Sequence, residues 1–301
     1  MISCDKLMKA PIYFVLLLMV ACGGVPEQDP VVAVYGGGPI YNGRDYSMDE
    51  LKNSGFNTII VWTIHIDSVG NLNFNMEFPL VRDGAYVGDE YQPHFRSDMK
   101  ALKAAGSSVK RIEFGLSGWG SQTYTNIKKL IDTEGTGPRS RLYQNFKALI
   151  AAIPEIDAFN NDDEVTYDVT SSVAFHTMLY ELGVKTAGVP YKNAATYWKP
   201  FTYQMLAANP GSVDLMYLQV YAGGANNNPC DAKWQGLGVP IVPGLWARGT
   251  SDGNKDAQQI EADMRAWRET CSIGGGFLWL YDDFDQSAQV ATYAKAIKAA
   301  F

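Results

Sequence analysis

Residues 156 to 168 read Ile-Asp-Ala-Phe-Asn-Asn-Asp-Asp-Glu-Val-Thr-Tyr-Asp, and this acidic stretch is the starting point for predicting the fold. Alternate side chains of a β-strand point to opposite faces, so an extended chain over residues 156–164 puts Ala158, Asn160, Asp162 and Glu164 on one face. Carboxylates one strand step apart cannot both ionise freely, so at least one pKa should rise. A carboxylic acid that keeps its proton near neutral pH is suited to acid catalysis.

The same stretch is also compatible with a solvated loop, because Asn-Asn-Asp-Asp is common turn composition. Taken alone, residues 156–168 leave the loop and the strand about equally favoured. Their position among the other predicted elements favours the strand.

Apolar extended runs alternate with amphipathic stretches, which predicts parallel strands joined by crossover helices and therefore the α/β class. The eight predicted strands cover residues 31–35, 56–66, 109–116, 156–164, 185–191, 213–221, 239–247 and 275–281. All but the sixth precede a convincing helical pattern, since residues 226–238 are too short and polar for one. Residues 67–93 form a predicted hairpin insertion. Eight such units predict a (β/α)8 TIM barrel, and 301 residues with 47% hydrophobic content suffice for one such domain.

The first 22 residues are typical of a targeting segment. Lys6 and Lys9 precede a short apolar run over residues 12–21, and Leu18 to Cys22 resembles the lipobox of bacterial lipoproteins. We therefore expect export and lipid anchoring at Cys22, followed by a linker over residues 23–30 and the barrel over residues 31–301. Ordinary signal cleavage nearby is the alternative.

The charge and the reactive residues narrow the class of partner. The chain has a net charge of −7, and loss of residues 1–21 would make it −8, which argues against nucleic acid or an anionic membrane surface as the main partner. Three histidines lack metal-ligand spacing, and no histidine follows Ser251 of a G-x-S-x-G match to complete a hydrolase triad. We expect no metal, no cofactor, a monomer, and membrane contact only through the lipid. Cys230 and Cys271 could pair, but the sequence does not place them close together.

Working residues of such barrels lie where strands end, on the C-terminal face. The predicted fourth strand ends at Asp162 and Glu164, and the sixth ends at Tyr221. Trp119, Trp246 and Trp279 also fall at strand ends, and their flat apolar faces suit the stacking of sugar rings. For Trp62, inside a strand, and Trp267, inside a helix, we expect core packing.

The motif Asp157-x-x-Asn160-x-Asp162-x-Glu164 resembles the D-x-x-D-x-D-x-E motif of glycoside hydrolase family 18, which comprises chitinases and endo-β-N-acetylglucosaminidases. The ending Asp162-Asp163-Glu164 is most similar to the second group. Three further segments are similar to the third, sixth and eighth strands of this family: residues 116–120, 218–221 and 275–279.

This resemblance implies a glycosidase that cleaves β-1,4 linkages at N-acetylglucosamine by substrate-assisted, retaining catalysis. Glu164 would protonate the leaving oxygen, while the acetamide of the sugar attacks the anomeric carbon. Asp162 would hold the acetamide N–H and Tyr221 its oxygen. Gln219 and Asn160 would contribute to substrate binding, together with the three tryptophans at strand ends.

The sequence departs from the family motif at three positions. Asn160 replaces the usual Asp, Ala158 replaces Gly, and Asn161 occupies an outward position that is normally apolar. We predict that the Asn160 amide donates to Asp162, lowering the pKa of Asp162 and thereby raising the pKa of Glu164. A buried Asn161 needs a partner, since leaving it unpaired would cost about 1–3 kcal/mol. The alternative function is a surface protein that binds glycans without cutting them, although retention of Asp162 and Glu164 favours an enzyme.

Overall fold

The structure, a computed structural model, describes residues 29–42, 47–247, 255–284 and 287–301. The predicted targeting segment with Cys22 and the loop that contains Ser251 lie outside the described residues. Among the residues that are described, no helix is long and apolar enough to cross a membrane.

The described strands belong to a single sheet. In chain order they are β1 (Val31–Gly36), β2 (Thr58–Ile66), β3 (Leu72–Phe74), β4 (Phe78–Arg82), β5 (Ala85–Tyr86), β6 (Arg111–Ser117), β7 (Ile156–Asp162), β8 (Lys185–Gly188), β9 (Val213–Gln219), β10 (Ile241–Trp246) and β11 (Gly275–Trp279). Strands β1, β2 and β6 to β11 pair in parallel, and β1 pairs with both β2 and β11, so these eight strands close into a barrel. The predicted (β/α)8 fold is confirmed.

Helices alternate with the barrel strands along the chain. They are α1 (Gly38–Tyr41), α2 (Ser47–Asn53), α3 (Gly88–Tyr91), α4 (Phe95–Leu102), α5 (Thr123–Glu134), α6 (Arg141–Ala152), α7 (Val169–Glu181), α8 (Lys199–Ala208), α9 (Ala232–Gln235), α10 (Ala257–Thr270) and α11 (Ser287–Ala299). After β9 the chain forms only a short 3-10 turn and the four-residue α9. The prediction that the sixth crossover lacks a full helix is therefore confirmed.

The predicted insertion after the second strand is a small antiparallel extension of the barrel wall. Strand β3 pairs antiparallel with β2, and β4 and β5 continue the sheet outward. Phe74 and Phe78 of this extension contact the rings of Tyr41 and Phe95, at centroid distances between 5.0 and 5.7 Å. The extension is thus anchored by an aromatic cluster.

Two layers of buried side chains hold the barrel together. The outer layer lies between strands and helices, because alternate strand residues face outward onto apolar helix faces. Inside the barrel, Tyr35, Ile60, Tyr217 and Phe277 form part of a second apolar cluster. Polar side chains share this interior, among them Glu113 and Asn160, which have no exposed surface.

A disulfide joins Cys230, in the short connection after β9, to Cys271, at the end of α10. Their Cα atoms are 5.4 Å apart. The pairing that the sequence left open is therefore present. It links the connection between β9 and β10, which lacks a full helix, to the end of α10.

Candidate active site

Strand β7 delivers the two central carboxylates to the C-terminal face. Asp162 is its last residue, with 5% of its surface exposed, and Glu164 lies two residues beyond the end of the strand. The predicted strand was therefore too long by two residues. Between them, the buried carboxylate of Asp163 accepts hydrogen bonds from the backbone N–H groups of residues 165, 166 and 167, at 3.0, 2.7 and 2.6 Å. These bonds fix the turn that carries Glu164.

Gln219, the last residue of β9, links the two carboxylates. Its side-chain Nε2 donates to Asp162 Oδ1 at 3.2 Å and to Glu164 Oε1 at 2.8 Å. A glutamine amide has two N–H donors, so one group can serve both acceptors. The two carboxylates are thereby held as a pair.

The pair lies in an environment that opposes negative charge. Burial raises the pKa of Asp162 well above its usual value, and the charges of Glu164 and Asp163 raise it further. Burial also raises the pKa of Glu164, although the hydrogen bond from Gln219 and the charge of Lys192 act in the opposite direction. The expected rise in at least one pKa is confirmed. The two groups titrate as a pair.

The carboxylates open into a cleft of about 460 Å³ at the C-terminal ends of the barrel strands. Its lining residues are Tyr35, Trp62, Gly118, Trp119, Asp162, Glu164, Val189, Tyr191, Gln219, Tyr221, Ala222, Gly223, Trp246 and Trp279. The structure thus brings together every residue that the sequence proposed for catalysis or substrate binding, except Asn160. The volume is in the range of small-molecule and cofactor sites.

Aromatic rings form the walls of this cleft. The Tyr221 ring stacks on Trp279 with centroids 6.3 Å apart, and Trp62 meets Trp279 edge to face at 5.0 Å. The indole N–H of Trp246 donates to Asp283 Oδ2 at 2.8 Å, which fixes its orientation. Trp119 stands apart at the rim, with 88% of its surface exposed.

The prediction that the Asn160 amide donates to Asp162 is wrong. Asn160 is completely buried beneath the cleft, where its Nδ2 donates to Glu113 Oε2 and its Oδ1 accepts from the Tyr35 hydroxyl at 3.1 Å. The buried carboxylate of Glu113 takes the amide N–H instead. Asn160 therefore does not line the cleft, and the lowered pKa expected for Asp162 is replaced by a raised one.

The neighbouring departure, Asn161, does find the partner that its burial demands. Its Nδ2 donates to the Tyr197 hydroxyl at 2.9 Å, and its Oδ1 accepts from the backbone N–H of Asp163 at 3.2 Å. Tyr197 lies in a short π-helix, Ala194–Trp198, that precedes α8. This outward polar residue therefore braces the end of β7.

The core-packing prediction holds for both tryptophans, but Trp62 has a second place in the structure. Trp267 packs half-buried against the outer core. Trp62 packs partly buried against the barrel-interior cluster and also forms part of the cleft wall, because it faces inward from β2. Tyr35 and Tyr191 also line the cleft, and neither was predicted to do so from the sequence. For Tyr35 the signal was available: it lies at the end of the first predicted strand, the position that drew attention to Tyr221.

These features define a class: a (β/α)8 barrel whose C-terminal face carries a paired-carboxylate cleft with aromatic walls. No protein-family model and no curated protein matches the chain. Solved structures do match. A family 18 chitinase from the chitin utilization locus of Flavobacterium johnsoniae superposes with a TM-score of 0.57 at 12% identity, covering 89% of this chain and 94% of that one.

Two other solved structures agree with this match. A chitinase from Bacteroides thetaiotaomicron gives a TM-score of 0.57 at 12% identity, covering 90% of this chain and 96% of its own. The Bacillus cereus spore cortex-lytic enzyme SleL gives 0.57 at 10% identity, with coverages of 89% and 73%. The chain therefore has the fold of the family 18 chitinases. Within the described ranges, no cluster of three or more His, Cys, Asp or Glu side chains could hold a metal ion.

Proposed function

We propose that this protein is a glycoside hydrolase that cleaves β-1,4 linkages at N-acetylglucosamine, with retention of configuration and participation of the substrate acetamide. The observation that carries the proposal is the carboxylate pair of buried Asp162 and half-buried Glu164, joined by Gln219 inside an aromatic-walled cleft. The solved structures with a similar fold that are named as chitinases support a substrate that contains N-acetylglucosamine, since chitin is a polymer of this sugar.

The raised pKa values keep a proton on the carboxylate pair, and the bound substrate determines which group carries it. Burial and mutual repulsion make the pair retain a proton toward neutral pH. When an acetamide N–H donates to Asp162, it stabilises the ionised form of that group, and the proton resides on Glu164. Glu164 is then the general acid, placed to protonate the glycosidic oxygen.

The reaction balances within the substrate and these side chains. The acetamide oxygen forms a bond to the anomeric carbon as the glycosidic bond breaks, and the leaving oxygen takes the proton of Glu164. Ionised Asp162 offsets the positive charge of the oxazolinium intermediate, and the Tyr221 hydroxyl holds the acetamide oxygen in this proposal. Water, deprotonated by Glu164, then opens the ring from the opposite side, so that two inversions give net retention.

The aromatic side chains supply affinity for sugar rings. Trp279 and Tyr221 form the floor beside the carboxylates, and Trp246 forms a wall. Trp119 offers a second flat surface at the rim, where a sugar further along the chain can stack. The substrate is therefore an oligosaccharide, with N-glycans, chitin fragments and peptidoglycan as the classes to test.

The decisive experiment removes only the proton donor. The mature protein and its Glu164→Gln variant are incubated with a panel of N-glycans, chitin oligomers and peptidoglycan fragments, and new reducing ends are identified by mass spectrometry. Loss of general acid catalysis should lower the rate by roughly 10²–10⁴-fold. Glu181→Gln is the matched control, because Glu181 is exposed at the far end of α7.

The outcomes separate the mechanism from its alternatives. Equal cleavage of substrates with and without the acetamide would contradict substrate assistance. Tight binding of a glycan by the wild type and by Glu164→Gln, without cleavage by either, would instead establish a glycan-binding protein.

A further inference from the structure

A chain of buried polar side chains descends from the cleft floor into the barrel. Tyr35, which lines the cleft, donates its hydroxyl proton to Asn160 Oδ1 at 3.1 Å, and Asn160 Nδ2 donates to Glu113 Oε2. The other oxygen of Glu113 accepts from the Tyr217 hydroxyl at 2.8 Å and from Arg111 Nε. Every acceptor oxygen of this buried carboxylate therefore has a donor.

The lower end of this chain is balanced in charge. The two terminal nitrogens of Arg111 donate to the two oxygens of Asp214, at 2.7 and 2.9 Å, and Lys185 lies 3.2 Å from Asp214. Two cations thus face the two carboxylates of Glu113 and Asp214. This compensation is what makes a fully buried carboxylate at position 113 sustainable.

Glu113 determines which way the Asn160 amide points. An ionised carboxylate can only accept, so Asn160 must turn its NH₂ group toward Glu113 and its oxygen toward Tyr35. An aspartate at position 160 would instead set two carboxylates against each other. Asn160 and Glu113 are therefore a matched pair, and the departure of Asn160 from the family motif is explained by its neighbour on β6.

The strand register shows where the carboxylate of Glu113 lies relative to Asp162 and Asn160. Asp162 lies beside Ser117 and Asn160 beside Gly115, whereas Glu113 lies beside Ala158, one layer further down. The family 18 motif has a carboxylate on β7 at the position of Asn160, next to Asp162. In this chain the negative charge is instead on Glu113 of β6, one layer below Asn160. Asp162 consequently faces Glu164 as its main charged neighbour.

We propose that Glu113 is a positioning residue of the active site: through Asn160 it fixes Tyr35 in the cleft floor, and it holds a negative charge two layers below Asp162. This proposal rests on the proposed function for its catalytic consequence, but the Glu113–Asn160 pairing itself is independent of activity.

The test exchanges the two groups. Four proteins are compared: wild type, Asn160→Asp, Glu113→Gln and the double variant. Each single change breaks a buried polar pair and should lower the Tm by roughly 5–10 °C. The double variant restores the hydrogen bond in reverse, because the amide introduced at position 113 can donate to the carboxylate introduced at position 160, while the amide oxygen accepts from Tyr217 and Arg111. Its Tm should lie above that of both single variants.

The pH profile gives a readout that a merely structural pair would not move. In the double variant the charge lies beside Asp162, so it should raise the apparent pKa of the catalytic pair and shift the alkaline limb of kcat/KM upward by roughly 0.5–1 pH unit. Glu181→Gln, the same chemical change on the surface, should leave the profile in place.

Two results would overturn the proposal. Additive losses of Tm, with the double variant less stable than either single variant, would show that the two residues are not a matched pair. Superimposable pH profiles would show that the position of the charge does not affect Asp162. If the wild type cleaves none of the panel, the proposed function fails separately, while the Tm comparison still decides the pairing.

Discussion

Asp162 and Glu164 are held where their ionised forms are disfavoured. Burial raises the pKa of both groups, and Gln219 is the only side chain within hydrogen-bonding distance of both among the described residues. At a pH above its usual pKa, a buried carboxylic acid makes folding less favourable, because the same group ionises more readily in the unfolded chain. The site therefore trades some stability for a proton that remains available for catalysis.

This trade predicts that Asp162→Asn abolishes hydrolysis and stabilises the fold at neutral pH. Because the folded pKa of Asp162 is raised, the contribution of Asp162 to stability is fully present below about pH 4 and is lost as pH rises toward the folded pKa. The amide escapes this loss, so its advantage should grow from pH 4 to pH 8 and reach about 0.5–2 kcal/mol. Thermal unfolding across this range is the measurement. Asp132→Asn, on the exposed face of α5, is the control, and an Asp162→Asn protein less stable than wild type at pH 7 would contradict the argument.

At the scale of elements, the pattern of apolar residues within a segment predicted the secondary structure of that segment and the residues at its end. Alternation of apolar extended runs with amphipathic stretches located the barrel strands, although the predicted ends of β7 and β9 were two residues too late, and those ends directed attention to Asp162, Tyr221 and Trp279. The partner of Asn160 could not be found in this way, because it depends on the register between β6 and β7. That register is set by packing around the closed barrel, which no single strand encodes.

The disulfide is the element-scale feature with the clearest energetic consequence. It closes a loop with a sequence separation of 41 residues, for which chain entropy gives about 4 kcal/mol of stabilisation. The double change Cys230→Ser and Cys271→Ser should lower the free energy of unfolding by up to this amount. Urea denaturation with and without a reductant is the measurement. Reductant should destabilise the wild type and leave the double variant unaffected, and an insensitive wild type would contradict a structural role.

At the scale of the whole molecule, the cleft and the start of the barrel lie on opposite faces. The cleft is formed at the C-terminal ends of the strands, whereas β1 begins with Val31 at the N-terminal end. Eight residues, 23–30, can span at most roughly 28 Å when fully extended. A chain anchored at its N-terminus would therefore hold the barrel close to the membrane, with the cleft directed away from it.

We propose that such an anchor exists and that the protein is exported and lipidated at Cys22. The motivation is the pattern of Lys6 and Lys9, an apolar run and a cysteine within a lipobox-like sequence. Expression of the full chain in a bacterial host, followed by mass spectrometry of the mature N-terminus, should find acyl chains on Cys22 and no residues before it. The Cys22→Ser protein should carry no lipid and should be absent from the membrane fraction. Cys4→Ser is the matched control, because Cys4 lies within the segment that processing removes. An unmodified N-terminus downstream of Cys22 would instead identify a secreted protein that reaches its glycan by diffusion.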